Sequence, residues 1–183
     1  MDTGATLYTQ YLQGDDAALE QLVAMYADGL VRFAYCFVKD SAAAEDVSED
    51  TFATLIVKRK RFSARASFKT YLYRIARNKC LDYLRFHRRF TPLDDLENVL
   101  ISNGTPESEL CVSDRNETLY RLLQQLPLQY RYALTLAYIE GFTAEQASAI
   151  MGKTVKQTYN LLARAKQSLK QLLINEGINY EDI

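Results

Sequence analysis

Four carboxylates stand close together in the stretch AAEDVSEDTF: Glu45, Asp46, Glu49 and Asp50, at i, i+1, i+4 and i+5. On a helix that spacing places them on one stripe, opposite Val47 and Phe52. Clustered carboxylates can hold a metal ion or move protons. Here no glycine-rich phosphate loop or nucleophile motif accompanies them, and the single histidine of the chain, His87, is distant in sequence. Cys36, Cys80 and Cys111 are odd in number, widely spaced and form no C-x-x-C pair. They read as reduced, packed thiols rather than zinc ligands or disulfides. The expectation is a protein with no catalytic constellation, no metal and no cofactor. Dipole stabilisation near a helix start, about 0.3–1 kcal/mol each, accounts for Glu45 and Asp46 but not for Glu49 and Asp50. An acidic stripe repels DNA, so it points to a basic protein partner.

A second stretch carries the opposite sign. Residues 58–89 hold twelve bases and one acid, Asp82, although the net charge of the chain is −1. Seven aromatics lie among these bases: Phe62, Phe68, Tyr71, Tyr73, Tyr83, Phe86 and Phe90. Bases draw phosphates through counterion release, and aromatic faces stack on unpaired nucleobases, at about 1–3 kcal/mol per base. Most of these aromatics can equally be core, Phe68 and Tyr71 first among them. The bases are harder to explain by packing, because a solvated helix face usually mixes signs. Arg65, Lys69, Tyr71, Arg74, Arg77, Asn78, Arg85, Arg88 and Arg89 are the candidate nucleic-acid contacts of this block.

The third stretch is GFTAEQASAIMGKTVKQTYNLL, residues 141–162. Thr143 and Thr154 are each followed three places on by a glutamine, Gln146 and Gln157, which is the pattern of an N-capping box. Two helix starts so close, separated by Gly152, fit a helical hairpin or a helix-turn-helix whose second helix enters the major groove. In the second case Thr154, Lys156, Gln157, Tyr159 and Asn160 reach base edges or phosphates, with Arg164 and Lys166 further along near the backbone. Val155, Leu161, Leu162 and Ala165 are then expected to face the bundle. From Lys153 to Gln171 there are five bases and no acid.

These stretches need helices to position them. Asp15 or Asp16 can cap a helix carrying Leu19, Leu22, Val23, Tyr26, Leu30, Phe33 and Phe37 on one face. Asp40 or Ser41 can start another, with Val47, Thr51, Phe52, Leu55 and Ile56 inward. A third starts at Ser67 and ends near Arg89. From Phe90 to Ser113 the periodicity stops, and Thr91-Pro92, Asn103-Gly104 and Thr105-Pro106 appear among acids. Those 24 residues could span up to roughly 80 Å if extended. From Asp114 helices resume: one stops before Pro127, the next ends at Gly141, and the two capping-box helices follow, the last running to about Asn175. The expected class is all-α, in two small helical domains joined by a flexible linker. The expected divisions are residues 1–90, an acidic linker at 91–113, residues 114–175, and a tail at 176–183. The opening MDTGATLYTQ has no basic or apolar leader region, and no uncharged apolar stretch is long enough to span a bilayer, so no membrane insertion and a cytoplasmic location are expected.

Taken together, AEDVSEDTF (44–52), FKTYLYRIARNKCLDYLR (68–85) and LPLQYRYALTLAYIEGFTAEQASAIMGKTVKQTYNLLARAKQSL (126–169) resemble the extracytoplasmic-function sigma factors of bacterial RNA polymerase, within the sigma-70 family. They stand in the family's order, with a variable linker between them. The resemblance implies a two-domain promoter-specificity subunit and no enzymatic activity. Its N-terminal domain would bind the clamp helices of the polymerase largest subunit through Glu45, Asp46, Glu49 and Asp50, then capture and help melt the −10 element through the 62–89 segment. Its C-terminal domain would read the −35 element with the helix starting at Thr154 and touch the polymerase flap. Implied partners are core RNA polymerase, promoter DNA (duplex and melted −10 strand) and an anti-sigma factor. Ser148 stands where the family usually has alanine, Thr158 where an apolar residue usually locks the second helix, and Tyr159, Asn160 and Leu161 replace a more basic run. Two other readings compete. A stand-alone helix-turn-helix regulator leaves the acidic stripe and the basic–aromatic block without a task. A metal-dependent nucleic-acid-processing enzyme built on the four carboxylates requires cleavage that depends on a divalent ion.

Overall fold

The computed structural model describes residues 2–58, 66–90 and 114–177, with the side chains of 88–90 and 114–117 left aside. All the regular elements among the described residues are helical: α1 (Thr3–Leu12), α2 (Asp16–Val38), α3 (Ser41–Lys58), α4 (Phe68–Phe90), α5 (Asp114–Gln125), α6 (Leu128–Leu134) with a π-helical segment (Thr135–Ile139), α7 (Ala144–Met151) and α8 (Val155–Asn175). The chain divides into two compact units, one built on α1–α4 and one on α5–α8. The expected linker, 91–113, lies outside the described residues.

In the first unit, carboxylates start the helices. Asp15 accepts from the Ala18 amide at 3.4 Å and Asp40 from the Ala43 amide at 2.7 Å, each satisfying an amide that the helix itself leaves open. Between α2 and α3 the chain turns at Lys39, a non-glycine residue in the left-handed region at φ 56°, whose amide bonds the Tyr35 carbonyl at 3.1 Å. The core is Leu22, Leu30 and Phe33 from α2, Leu55 from α3, and Phe68, Leu72 and Tyr73 from α4, all essentially sealed from water. The Phe33 ring meets Phe37 at 5.3 Å and Tyr73 at 5.1 Å between centroids. Each such side chain contributes about 1.5–3 kcal/mol by burial.

Three differences from the sequence reading stand out. Helix α1 was not expected at all. Its ten residues include Gly4 and three threonines, a weak helix former on its own, and burial of Leu7, Tyr8 and Tyr11 sustains it. Val23 and Ile56, expected inside, are 37% and 41% exposed. Both flank the contact face of their helices rather than lying on it.

The second unit packs α6 against α8, with α5 alongside. Leu123, Leu126, Leu134 and Ala165 form its centre, flanked by Leu119, Tyr130, Ile139, Leu169 and Leu172. Arg131 is 3% exposed, and its Nη1 donates to the Gln124 carbonyl at 3.1 Å and to Gln124 Oε1 at 2.7 Å. The π-helical segment closes with the Glu140 amide on the Thr135 carbonyl at 2.9 Å, and Gly141 turns at φ 70°. At the far end Arg121 grips the Glu176 carboxylate through both nitrogens, at 3.2 and 2.8 Å.

Candidate nucleic-acid and polymerase interfaces

The acidic stripe forms as the spacing predicts. Glu45, Asp46, Glu49 and Asp50 are exposed on α3, while Ala44, Val47, Ser48 and Thr51 between them are buried. The buried Thr51 hydroxyl donates to the Val47 carbonyl at 2.7 Å, so the inward polar group is satisfied. Asp50 Oδ2 also lies 3.1 Å from Lys79 Nζ, which ties the end of the stripe to α4. Among the described residues no group of three or more His, Cys, Asp or Glu side chains is placed to hold a metal ion. Cys36 and Cys80 are buried free thiols, and burial, then the neighbouring Cys36, pushes the Cys80 thiol far above its usual range. Cys111 lies outside the described residues.

Helix α4 separates its residues cleanly. Phe68, Leu72, Tyr73, Ala76 and Cys80 face the core. Arg74, Asn78 and Arg85 are exposed, and Lys69, Tyr71 and Arg77 are half-buried. Arg77, Asn78, Leu81, Asp82 and Arg85 line an open groove of about 340 Å³. Within it Asp82 accepts from Arg85 Nη1 at 2.8 Å, so one acid tempers the positive field. Arg65 and the side chains of Arg88 and Arg89 lie outside what is described. Of the seven aromatics, Phe68 and Tyr73 are core, and the Tyr71 ring packs 6.2 Å from Phe68. Phe86 is the most open among the described ones, 61% exposed. Beside it Tyr83 and His87 stack at 3.9 Å, with the Phe86 ring 5.8 Å from His87. Burial, then the carboxylates of Asp40 and Asp46, push the Tyr83 phenol up. Phe86 and His87 were not among the expected contacts. The signal was available, since Phe86 adjoins Arg85 and Arg88 on a helix whose core positions were already filled.

Both capping boxes form in the second unit. The amides of Gln146 and Thr143 donate to Thr143 Oγ1 and Gln146 Oε1 at 3.3 and 3.0 Å, and those of Gln157 and Thr154 donate to Thr154 Oγ1 and Gln157 Oε1 at 3.2 and 2.9 Å. The side chains of Thr154 and Gln157, expected to face DNA, are therefore engaged at the helix start. Helix α7 ends at Gly152, φ 66°, whose amide bonds the Ser148 carbonyl, and three residues later α8 begins. Lys156, Tyr159, Asn160, Arg164 and Lys166 are exposed along α8. Leu162 and Ala165 face inward, Leu161 is half-buried, and Val155, the first residue of α8, is 37% exposed rather than inward. Thr158 is fully buried and gives its hydroxyl to the Thr154 carbonyl at 3.1 Å; Ser148, also buried, gives its own to Glu145 at 2.7 Å. These internal bonds let polar side chains occupy positions where the family usually has apolar ones. Glu145 is held below the usual carboxylate range by its own amide first, then by the Thr143 and Tyr159 side chains. Lys166 Nζ lies 4.7 Å over the Tyr138 ring.

Comparison with known proteins agrees with this layout. The family sigma-70 region 2 matches residues 22–90, and sigma-70 region 4 matches residues 116–169. The sigma factor SigM of Bacillus subtilis, an extracytoplasmic-function RNA polymerase sigma factor, is 32% identical over 164 residues, covering 89% of this chain and 99% of its own. Among solved structures, CnrH in complex with the cytosolic domain of CnrY superposes with a TM-score of 0.69 at 26% identity, over 95% of this chain and 99% of the other. The sigma factor RpoE of Bartonella quintana, in complex with the anti-sigma factor NepR, gives the same TM-score and identity over 84% of this chain and 95% of its own. With an acidic helix, a basic helix and a helix-turn-helix in the matching order, the chain belongs to the extracytoplasmic-function sigma factors of the sigma-70 family, non-catalytic promoter-specificity subunits that bind core RNA polymerase and promoter DNA.

Proposed function

We propose that the two units divide the work of promoter recognition. Residues 1–90 bind the polymerase clamp through Glu45, Asp46, Glu49 and Asp50 and hold the −10 element through the exposed face of α4: Lys69, Tyr71, Arg74, Arg77, Asn78 and Arg85, together with Arg65, Arg88 and Arg89. Residues 114–175 read the −35 element with α8, where Lys156, Tyr159, Asn160, Arg164 and Lys166 carry the contacts and Thr154 and Gln157 set the helix start. Residues 91–113 connect the two, and 176–183 form a tail. The site of action is the cytoplasm; no helix among the described residues is long and apolar enough to cross a membrane. An anti-sigma factor is a natural partner, given the likeness to CnrH and RpoE in their complexes.

One observation supports this reading above the rest. Exposed charge is sorted by helix, with acids on α3 and bases on the outer faces of α4 and α8. Like charges gathered this way repel one another unless a partner of opposite sign covers them. The test is gel filtration of the purified chain with bacterial core RNA polymerase. A one-to-one complex is expected, and Glu49→Lys with Asp50→Lys should weaken it at least tenfold by reversing the field at the contact. Undiminished binding by that double variant would remove the stripe from the polymerase interface. Tight duplex binding by the free chain with no polymerase complex would favour a stand-alone regulator.

A further inference from the structure

Helix α1 lies before the first family match, which begins at residue 22, yet it reaches the start of α4. One carboxylate makes the connection. Asp2 Oδ1 accepts from the Ala5 amide at 3.2 Å, capping α1, and Asp2 Oδ2 accepts from the Phe68 amide at 2.6 Å, capping α4. Two helix N-termini thus share one negative charge, the sign their dipoles favour. The rest of the first turn of α4 is held by its own Ser67, whose hydroxyl accepts from the Thr70 amide at 3.2 Å and whose carbonyl accepts from the Tyr71 amide at 3.1 Å.

The fit around this junction leaves no slack. A methyl group on Gly4 would stand 2.5 Å from Tyr26 Oη and 2.7 Å from Phe68 Cδ1, so α1 sits with its backbone directly against these rings. The Phe68 ring is enclosed by Tyr8 at 5.2 Å and Tyr26 at 6.0 Å, and it in turn backs the Tyr71 ring at 6.2 Å. Any shift of α1 moves Phe68, and a shift of Phe68 moves Tyr71 and the adjoining Lys69.

We propose that α1 is a positioning element for the −10 contacts: Asp2 fixes the first turn of α4 and thereby sets Tyr71 and Lys69 against the opened strand. The proposal rests on the assignment of α4 to the −10 element. Asp2 touches no nucleic acid in this scheme and acts through Phe68. Its effect belongs to strand capture and leaves the α3 face untouched.

The test uses holoenzyme formed from the full chain and core polymerase. A promoter is first selected by the wild-type holoenzyme from a random duplex pool, and binding is then measured to a fluorescent single strand carrying its −10 sequence. Asp2→Ala, at a temperature where circular dichroism shows it fully folded, should bind core polymerase as wild type does and bind the strand roughly tenfold more weakly, the scale expected for sub-ångström to ångström misplacement of a contact group. Asp2→Asn keeps one acceptor oxygen and should lose less. Asp2→Ala combined with Tyr71→Ala should lose less than the two single losses added together, because part of the effect of Asp2 acts through Tyr71. Wild-type strand binding by Asp2→Ala, with a loss for Tyr71→Ala, would overturn the role of α1 and leave the assignment of α4 standing. Wild-type binding by both would overturn that assignment and the proposal with it. If Asp2→Ala does not fold, Asp2→Asn takes its place in the same cycle; a loss that adds fully to that of Tyr71→Ala would also overturn the proposal.

Discussion

Helices α4 and α8 both present basic outer faces, but different things hold their first turns. The start of α8 is a local affair, Thr154 and Gln157 exchanging hydrogen bonds across three residues. The start of α4 depends on Ser67 next to it and on Asp2, 66 residues away in sequence. Beneath the first turn of α4 lies an aromatic cluster drawn from three helices, α1, α2 and α4. One helix can form its end wherever the chain goes; the other has its end only when the whole first unit is assembled. A helix that reads duplex needs a regular, self-supporting rod. A helix that meets unpaired bases needs side chains held at fixed angles, and packing against neighbours supplies that.

The comparison can be broken at several points. The largest effect is expected from Phe68→Ala, which empties the centre of the aromatic cluster. It should cost about 3–5 kcal/mol of first-unit stability in denaturant titration, with the thermal transition of the α5–α8 unit unmoved. Loss in both units would mean that they fold as one. Next come Arg77→Ala with Arg85→Ala, both on the groove of α4. Promoter opening, followed by permanganate reactivity of the unpaired strand, should fall by at least tenfold on the role proposed for this face, while polymerase affinity stays within a factor of about two. Equal loss of both would show that this face supports the polymerase contact too. Smaller is Thr154→Ala, expected to cost about 1 kcal/mol in the second unit alone, with Thr154→Ser nearly neutral. A larger cost would mean that the start of α8 is less self-contained than its capping box implies.

A further effect is expected in alkaline solution. Burial, followed by the neighbouring phenols of Tyr71 and Tyr11, pushes the Tyr8 hydroxyl up to about 12. A phenol whose pKa is higher folded than unfolded stabilises the fold fully below its unfolded value, near 10, and loses that contribution as pH rises towards 12. The first unit should therefore unfold more readily across that window, and Tyr8→Phe should flatten the slope. An unchanged slope in the variant would place Tyr8 in contact with water.

The same contrast explains what could be read from the sequence. The capping boxes at Thr143 and Thr154 and the stripe at 45–50 were legible because their partners lie three to five residues apart. The inward faces of α2 and α3 were legible from period alone, apart from Val23 and Ile56, which flank the contact faces of their helices. Helix α1 was not legible, since Asp2 and Gly4 matter through Phe68 and Tyr26, and no local pattern encodes that. For the same reason the aromatic residues of α4 could be counted but not sorted: Phe68 and Tyr73 entered the core, and Phe86 stayed outside. Thr154 and Gln157 lay on the expected face, yet their side chains had a nearer use.

The π-helical segment at 135–139 also bears on register. It inserts one residue beyond the α-helical repeat, so everything after it starts about 100° further round the axis than an unbroken α-helix would allow. Deleting Ala137 would leave the composition and charge of the second unit almost unchanged. It would nonetheless turn the exit at Gly141, and with it the hairpin of α7 and α8, away from the bed that Leu134 and Ala165 share. The placement of α8, the helix proposed to read duplex DNA, is set by a residue count made before α7 begins.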